Sequence, residues 1–549
     1  MKIVNKVVYG NPALSVPAHL SYAEYMIDKL KIASQDENKI AIIDSDTDQK
    51  VTFKQLLQDI VSFGEGLRRG GVRRGGVVAV CCESRAEHVV AVVGAMCCGA
   101  TINSLNVQYT DDEMDHVLSI AKPSILIASE DALKQHIHSF TNKPYLKSLI
   151  QIGGTPLNNR IQSYDSLKVP NTKIDEFELT DVKGGSDTLL ILNSSGTTGL
   201  PKGVELTHLN VLYGASRMER EKDLADMLTT FLSVIPWYHA YGLITTLNIM
   251  CAAKTVVYMN HFNPVQYLES IQKYQVNGLL CVPPIVVFIA KSPLTEQYDL
   301  SSVMLVTCGA APLSAETMAN AKKKLPSCFM FSQGYGMTET SMLATLDIPD
   351  ENDEEMFQTK PGSGGRPLPG MRIKVVDPNT RKRLGPNEEG EICIKGPFTM
   401  KGYANNEKAT IDMFDEEGFM KTGDIGYYDK DCYLFIVDRL KDLIKYKGYQ
   451  VPPALVENVL LQHRGVAECG VVGAPDDAAG ELPTAFVVRR PGVALTEQDL
   501  VDYANAKLSK TTRLYGGVIF VDSIPRNPTG KILRRELRKK LIQMKKSKL

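Results

Sequence analysis

Twice along the chain, short apolar runs of strand length alternate with helix-like amphipathic segments. This repetition limits the fold more than any other feature. Between Tyr22 and about Thr180 the runs at 40–43, 77–80, 124–128 and 149–152 read as strands. Residues 53–57 open an amphipathic helix with Thr52 as N-cap, and 89–100 read as a buried helix running into a strand. From Thr229 to Gly336 the pattern returns: the runs at 279–282 and 304–307 each end in a Gly/Pro-rich turn. Such alternation predicts an α/β fold with largely parallel sheets and ligands at their carboxyl ends. Between Gly365 and Gly426 short β runs lie between Gly and Pro turns, which suggests a small barrel. A new unit follows Asp438-Arg439-Leu440-Lys441-Asp442. It has a helix at 454–462 with Leu455, Val456, Val459 and Leu460 on one side, strands at 470–473 and 485–488, and a near capping box of Thr496 with Asp499.

The run Leu189-Leu190-Ile191-Leu192 leads into Asn193-Ser194-Ser195-Gly196-Thr197-Thr198-Gly199-Leu200-Pro201-Lys202-Gly203. Glycines turn backbone N–H groups toward a ligand, hydroxyls add donors and Lys202 adds charge, the equipment of a polyphosphate loop. It is not a Walker A loop, because Pro201 precedes the lysine and Gly203 follows it. A second cluster is Gly334-Tyr335-Gly336-Met337-Thr338-Glu339-Thr340. Its aromatic face can stack on adenine, Thr338 can bond an α-phosphate and Glu339 can hold Mg²⁺ through oxygen. In Thr422-Gly423-Asp424 the carboxylate suits two ribose hydroxyls.

The phosphate loop is similar to the signature of the adenylate-forming superfamily: acyl-CoA synthetases, coumarate–CoA ligases, peptide-synthetase adenylation domains and beetle luciferases. The resemblance spans nearly the whole chain, nearest to insect luciferases and luciferase-like fatty acyl-CoA synthetases. It implies a large N-terminal domain (1–438) of two doubly wound α/β subdomains plus a small β-barrel. A hinge at 439–441 then leads to a smaller α+β C-terminal lid (442–549) that reorients between half-reactions. It implies an ATP site of Ser194, Ser195, Gly196, Thr197, Thr198, Gly199, Lys202, Gly309, Ala310, Ala311, Gln333, Gly334, Tyr335, Gly336, Asp424 and Arg439, with Glu339 on Mg²⁺. The acid would meet His239, Tyr241, Thr245, Gly309 and Met342. Lys531, in Pro525-Arg526-Asn527-Pro528-Thr529-Gly530-Lys531, matches the adenylation lysine, acting with His239 and Thr338. Lys445 matches the loop that turns inward for the second half-reaction, with CoA at Lys447, Gly448, Tyr449 and Gln450, and Lys441 matches the hinge residue. Two positions depart from the beetle luciferase pattern: Gly214 stands where an arginine borders luciferin, and Met342 where a serine follows the Thr-Glu motif. Both favour an alkyl acid over a heteroaromatic one, with luciferin oxidation and aromatic acid–CoA ligation as alternatives.

At 549 residues the chain exceeds one core. A formal net charge of −1 gives no electrostatic case for a nucleic-acid partner. Eleven cysteines without a Cys-x-x-Cys pair read as reduced thiols of an intracellular protein. The longest apolar run, Val89 to Ala100, is too short to span a bilayer, and no apolar run follows Met1-Lys2-Ile3-Val4-Asn5-Lys6 to form a signal peptide's core. The ending Ser547-Lys548-Leu549 is an address read by the peroxisomal import receptor.

Overall fold

The computed structural model describes residues 1–141, 143–194, 201–220, 227–311, 313–347, 360–447, 449–476, 478–527 and 530–546, excluding the side chains of 218–220, 545 and 546. Among these residues the strands form four sheets. The first contains a parallel run in the order Thr188–Ser194, Thr101–Ser104, Val77–Cys81, Ile125–Ser129, Ser148–Ile152, Ile161–Ser163. The chain places the strand after Val77–Cys81 on one side of it and the next on the other, the reversal that defines a doubly wound sheet. The second sheet runs in parallel through Met330–Tyr335, Leu305–Cys308, Gly278–Cys281, Thr230–Ser233, Thr255–Tyr258 and Ile40–Asp44.

Local chemistry sets the helices between these strands. Thr52 caps Phe53–Arg69 by accepting from the Gln55 amide, and the helix buries Leu56, Leu57, Ile60 and Val61 completely. Its neighbour Ala86–Cys97 is buried almost all round, and the two approach where Gly64 faces Gly94. A Cβ on Gly64 would sit 3.2 Å from the Gly94 carbonyl oxygen, so a larger residue there would force the helices apart.

The expected barrel at 365–426 is an antiparallel six-stranded sheet whose strands come from further afield. Lys2–Val4 and Val7–Tyr9 form one edge and Leu434–Arg439 the other, around Arg372–Val376, Gly390–Lys395 and Met420–Tyr428. The N-terminal strands lie far from 365–426 in sequence and are only three residues each, too short to show a period.

The C-terminal sheet joins Tyr449–Val451, Ile444–Tyr446, Gly480–Arg489 and Val466–Asp476, with Val518–Phe520 alongside. It has its own core around Ile444, Val456, Leu460, Val471 and Leu500. The Thr496–Asp499 capping box is present. The expected apolar face of the first C-terminal helix needs correcting. Helix Pro453–Leu461 exposes Leu455 (43%) and buries Glu457 (8%), because Arg534 pairs with that carboxylate through two contacts of 2.8 Å. A salt bridge thereby takes a core position that an apolar count assigns to leucine. Leu537 and Leu541 are buried on helix Arg534–Lys546, whereas Leu533 precedes the helix and is 39% exposed. Among the described residues, no helix is long and apolar enough to cross a membrane.

Candidate active site

A cavity of about 520 Å³ opens at the carboxyl ends of the second sheet, where Gly309 and Gly334 lie, and Asn527 and Lys531 of the C-terminal domain line its other side. It then runs down the sheet to Leu305, Met330 and Phe231 near the amino ends of the same strands. At ~3.3 Å per strand residue, the four steps from Gly334 to Met330 span ~13 Å. The walls toward that end are mainly apolar, with Leu228, Phe231, Ile244, Ile249, Leu280, Leu305 and Met330, but Arg217, Asn248 and Lys254 also line the cavity.

Polar groups concentrate at the mouth. Ser194, at the end of strand Thr188–Ser194, lines the cavity with Lys202, which opens strand Lys202–Thr207. Ser195, Gly196, Thr197, Thr198 and Gly199 lie outside the described residues. The Ser194 hydroxyl and both side-chain polar atoms of Asn193 are buried with no hydrogen-bond partner among the described residues, as a pocket awaiting a polar ligand requires. His116 fixes the loop's far end, its Nε2 lying 2.9 Å from the Pro201 carbonyl.

Thr338 and Glu339 line the cavity from a 3-10 turn, Thr338–Thr340. Gly336 is required here, since a Cβ would lie 2.2 Å from the Met342 carbonyl oxygen. At Gly309 a Cβ would meet nothing nearer than 3.6 Å, so the cavity is open on that side of the backbone. The neighbouring Ala310, also in the wall, takes a left-handed φ of 73°.

Four residues expected in the nucleotide site sit outside the cavity wall. The Gln333 side chain folds onto the backbone of Leu313, accepting from its amide and donating to its carbonyl. Tyr335 is 9% exposed, and its hydroxyl donates to Asp424 Oδ2 at 2.8 Å, while Arg439 Nε lies 3.3 Å from Oδ1. Asp424 is therefore oriented from both sides just behind Thr422, Gly423 and Arg439, which do line the cavity. Ala311 is likewise not part of the wall, and Pro312 lies outside the described residues. Glu391, missed from sequence, braces this turn: its Oε1 accepts from the Gly423 amide at 3.3 Å and its other oxygen pairs with Arg381. Nothing in its alternating strand marks that role.

On the acid side, His239 precedes helix Ala240–Cys251 and lines the cavity. Burial pulls its imidazole down to about 4, so it is neutral near pH 7 in the ligand-free protein and can orient a carboxylate by hydrogen bonding. Tyr241 is locked by bonds to the Thr307 and Cys281 carbonyls at 3.3 and 3.4 Å. Thr245 donates to Met342 Sδ at 3.1 Å, and Met342 holds a left-handed φ of 79°. A Cβ on Gly214 would stand 2.9 Å from Asn248 Nδ2, so a long side chain there would need Asn248 to move.

Lys531 reaches the cavity from a loop closed by Asn527, whose Oδ1 accepts from the Lys531 amide at 2.8 Å. Burial, Arg439 and Lys441 pull its ammonium down to about 7, against the opposing pull of Asp424 and Asp442. Lys445, Lys447, Tyr449 and Gln450 are exposed on the C-terminal sheet and do not line the cavity, and Gly448 lies outside the described residues. Lys441 is exposed between the two domains' sheets.

Among the described residues no group of three or more metal-ligating side chains occurs. Glu339, 5% exposed, offers one carboxylate at the cavity wall. That donor set fits Mg²⁺, which takes one or two protein carboxylates and fills its shell with phosphates and water.

With fold and cavity in view, the comparisons agree. The family model of AMP-binding enzymes matches residues 31–404, and the model of their C-terminal domain matches 455–531. The chain belongs to the AMP-binding, adenylate-forming enzymes. A luciferin 4-monooxygenase of Nipponoluciola cruciata is 38% identical over 91% of both chains. The 4-coumarate–CoA ligase 3 of Arabidopsis thaliana is 36% identical over 96% of this chain and 93% of its own. ATP-bound MatB from Rhodopseudomonas palustris superposes with a TM-score of 0.82 at 28% identity, over 95% of this chain and 99% of that one.

Proposed function

We propose that the protein is an ATP-dependent, AMP-forming acid–CoA ligase for medium- to long-chain fatty acids. The observation that carries this reading is the cavity's shape: a polar mouth continued along the strands by a channel whose lining is mainly, though not wholly, apolar. Its ~13 Å of strand length matches an alkyl chain of about ten carbons. In the first half-reaction a carboxylate oxygen bonds to the α-phosphorus of ATP, and the bond to pyrophosphate breaks. The carboxylate is already ionised, so no base is needed. Neutral His239 orients it, Thr338 donates toward the α-phosphate, and Lys531 bridges the two anions. Glu339 would hold Mg²⁺, whose charge would offset that of the pyrophosphate. Asp424, held by Tyr335 and Arg439, takes the ribose hydroxyls. In the second half-reaction the CoA sulfur bonds to the acyl carbon and AMP leaves. Lys531 lines the cavity and Lys445 stands outside it, so the described arrangement suits the first step. Rotation about Lys441 would bring Lys445, Lys447, Tyr449 and Gln450 inward for the second.

The relatives' names keep luciferin oxidation and aromatic acid–CoA ligation as rivals. The apolar Met342, the small Gly214 and the channel's length favour the alkyl acid. The test is a plug: Met330→Trp should shift the preferred acid to shorter chains while leaving acetate or butyrate turnover intact. An unchanged chain-length profile would remove the channel from the account. We also propose import into peroxisomes through Ser547-Lys548-Leu549, which lies outside the described residues.

A further inference from the structure

Tyr403 has no part in the reaction described above, yet it stands between two of its charged groups. It is 7% exposed and lines the cavity. Its hydroxyl donates to Glu339 Oε1 at 3.0 Å and lies 3.7 Å from Met413 Sδ. The Lys202 ammonium sits over its ring, 4.7 Å from the centroid. The backbone repeats the connection. Tyr403 pairs with Val204 on the strand that Lys202 opens, and the Ala404 amide donates to the Gly203 carbonyl at 2.8 Å. Three residues earlier, the Met400 amide donates to the Glu339 carbonyl, also at 2.8 Å. The segment from Met400 to Ala404 thus joins the end of the phosphate loop to the turn that carries the metal-fitting carboxylate.

An ammonium and a carboxylate that line one cavity and touch the same side chain attract each other. If they paired, neither would serve an incoming nucleotide. A ring between them holds the cation by its face and the anion by its hydroxyl, so each is satisfied without neutralising the other. The hydroxyl occupies Oε1 and leaves Oε2 of this cavity-lining residue to other partners. We propose that Tyr403 is a positioning residue that keeps Lys202 and Glu339 apart and aimed at the triphosphate and its divalent cation. Partners of a metal-binding carboxylate that fix its orientation typically change metal affinity about 10- to 100-fold when removed. The inference rests on the proposed function only in requiring that nucleotide and cation bind in this cavity.

The test uses full-length protein with α,β-methylene-ATP and Mn²⁺, free Mn²⁺ being read by electron paramagnetic resonance and nucleotide affinity without metal by calorimetry. Tyr403→Phe keeps the ring under Lys202 and removes the hydroxyl. It should weaken Mn²⁺ binding to the nucleotide complex about tenfold or more and leave metal-free nucleotide affinity unchanged. Tyr403→Leu should weaken both. Mn²⁺ affinity retained in Tyr403→Phe would overturn the inference, as would equal loss of metal-free nucleotide affinity in the two variants. Tyr403→Phe decides alone if Tyr403→Leu does not fold. If the unsubstituted protein binds neither nucleotide nor its Mn²⁺ complex, the reading of the cavity fails and takes this inference with it. Binding by the unsubstituted protein with no change in Tyr403→Phe rejects the inference alone.

Discussion

Lys531 is asked to act as a cation in a place that disfavours its charge, and this makes its pH dependence informative. Burial, Arg439 and Lys441 hold its pKa near 7 in the ligand-free protein, against about 10.4 for an exposed lysine. A single ionisation there leaves about nine-tenths of the molecules charged at pH 6, about one-tenth at pH 8 and about one-hundredth at pH 9. Because kcat/KM reports groups of the free enzyme, kcat/KM for ATP in acyl-adenylate formation should fall about 100-fold from pH 6 to pH 9. Stopped-flow or pyrophosphate-exchange assays across that range read it directly. Lys531→Arg, charged throughout, should flatten the limb at lower absolute rate, and thioester formation from supplied acyl-AMP should lack it. The folded pKa lies below the unfolded one, so the charge costs stability that returns as pH rises from 7 toward 10. Lys531→Met should therefore melt higher than the unsubstituted protein near pH 7 and converge with it at high pH. A flat kcat/KM profile to pH 9, or a decline that survives in Lys531→Arg, would refute the reasoning.

Other outcomes follow from the same geometry. Lys531→Ala should lose acyl-AMP formation by about three orders of magnitude or more while still converting supplied acyl-AMP with CoA, and Lys445→Ala should show the reverse pattern in the same half-reaction assays. Arg534→Met should cost the C-terminal domain about 3–5 kcal/mol in urea unfolding at pH 8, because it strands the buried Glu457 carboxylate. Burial already raises that carboxyl's pKa, so the deficit should shrink as pH falls and the group takes up a proton. A fluorescent fusion at the N-terminus should be punctate in cells and diffuse once Leu549 is removed. A diffuse signal from the intact tail would reject peroxisomal import.

The two parallel sheets were legible because their strands are apolar on both faces and bounded by turns, as at 77–80 and 279–282. Ser194, Lys202 and the Thr338–Glu339 turn, all in the cavity wall, could be singled out because glycines, hydroxyls and charges crowd into a few residues around them. What escaped depends on distant pairing. The strands at 2–9 join Arg372–Val376 across more than 360 residues of chain. Glu457 looks like a solvated helix position until Arg534 arrives from 77 residues away. Gln333 and Tyr335 stand in the expected stretch, but alternation along strand Met330–Tyr335 turns their side chains to other partners. Tyr403 carries no local signal at all, because its meaning lies in Lys202 and Glu339, which reach it from the start of one strand and from a distant 3-10 turn.

The central claim is the acid itself. Purified protein with ATP, Mg²⁺ and CoA should be assayed for AMP release against saturated fatty acids of graded chain length, cinnamates and firefly luciferin, with light recorded in parallel. The account predicts CoA-dependent AMP release that peaks with medium- to long-chain fatty acids, is weak with cinnamates, and comes with little or no luminescence. Bright, sustained emission with luciferin beside poor fatty acid turnover, or a peak at cinnamates, would contradict it.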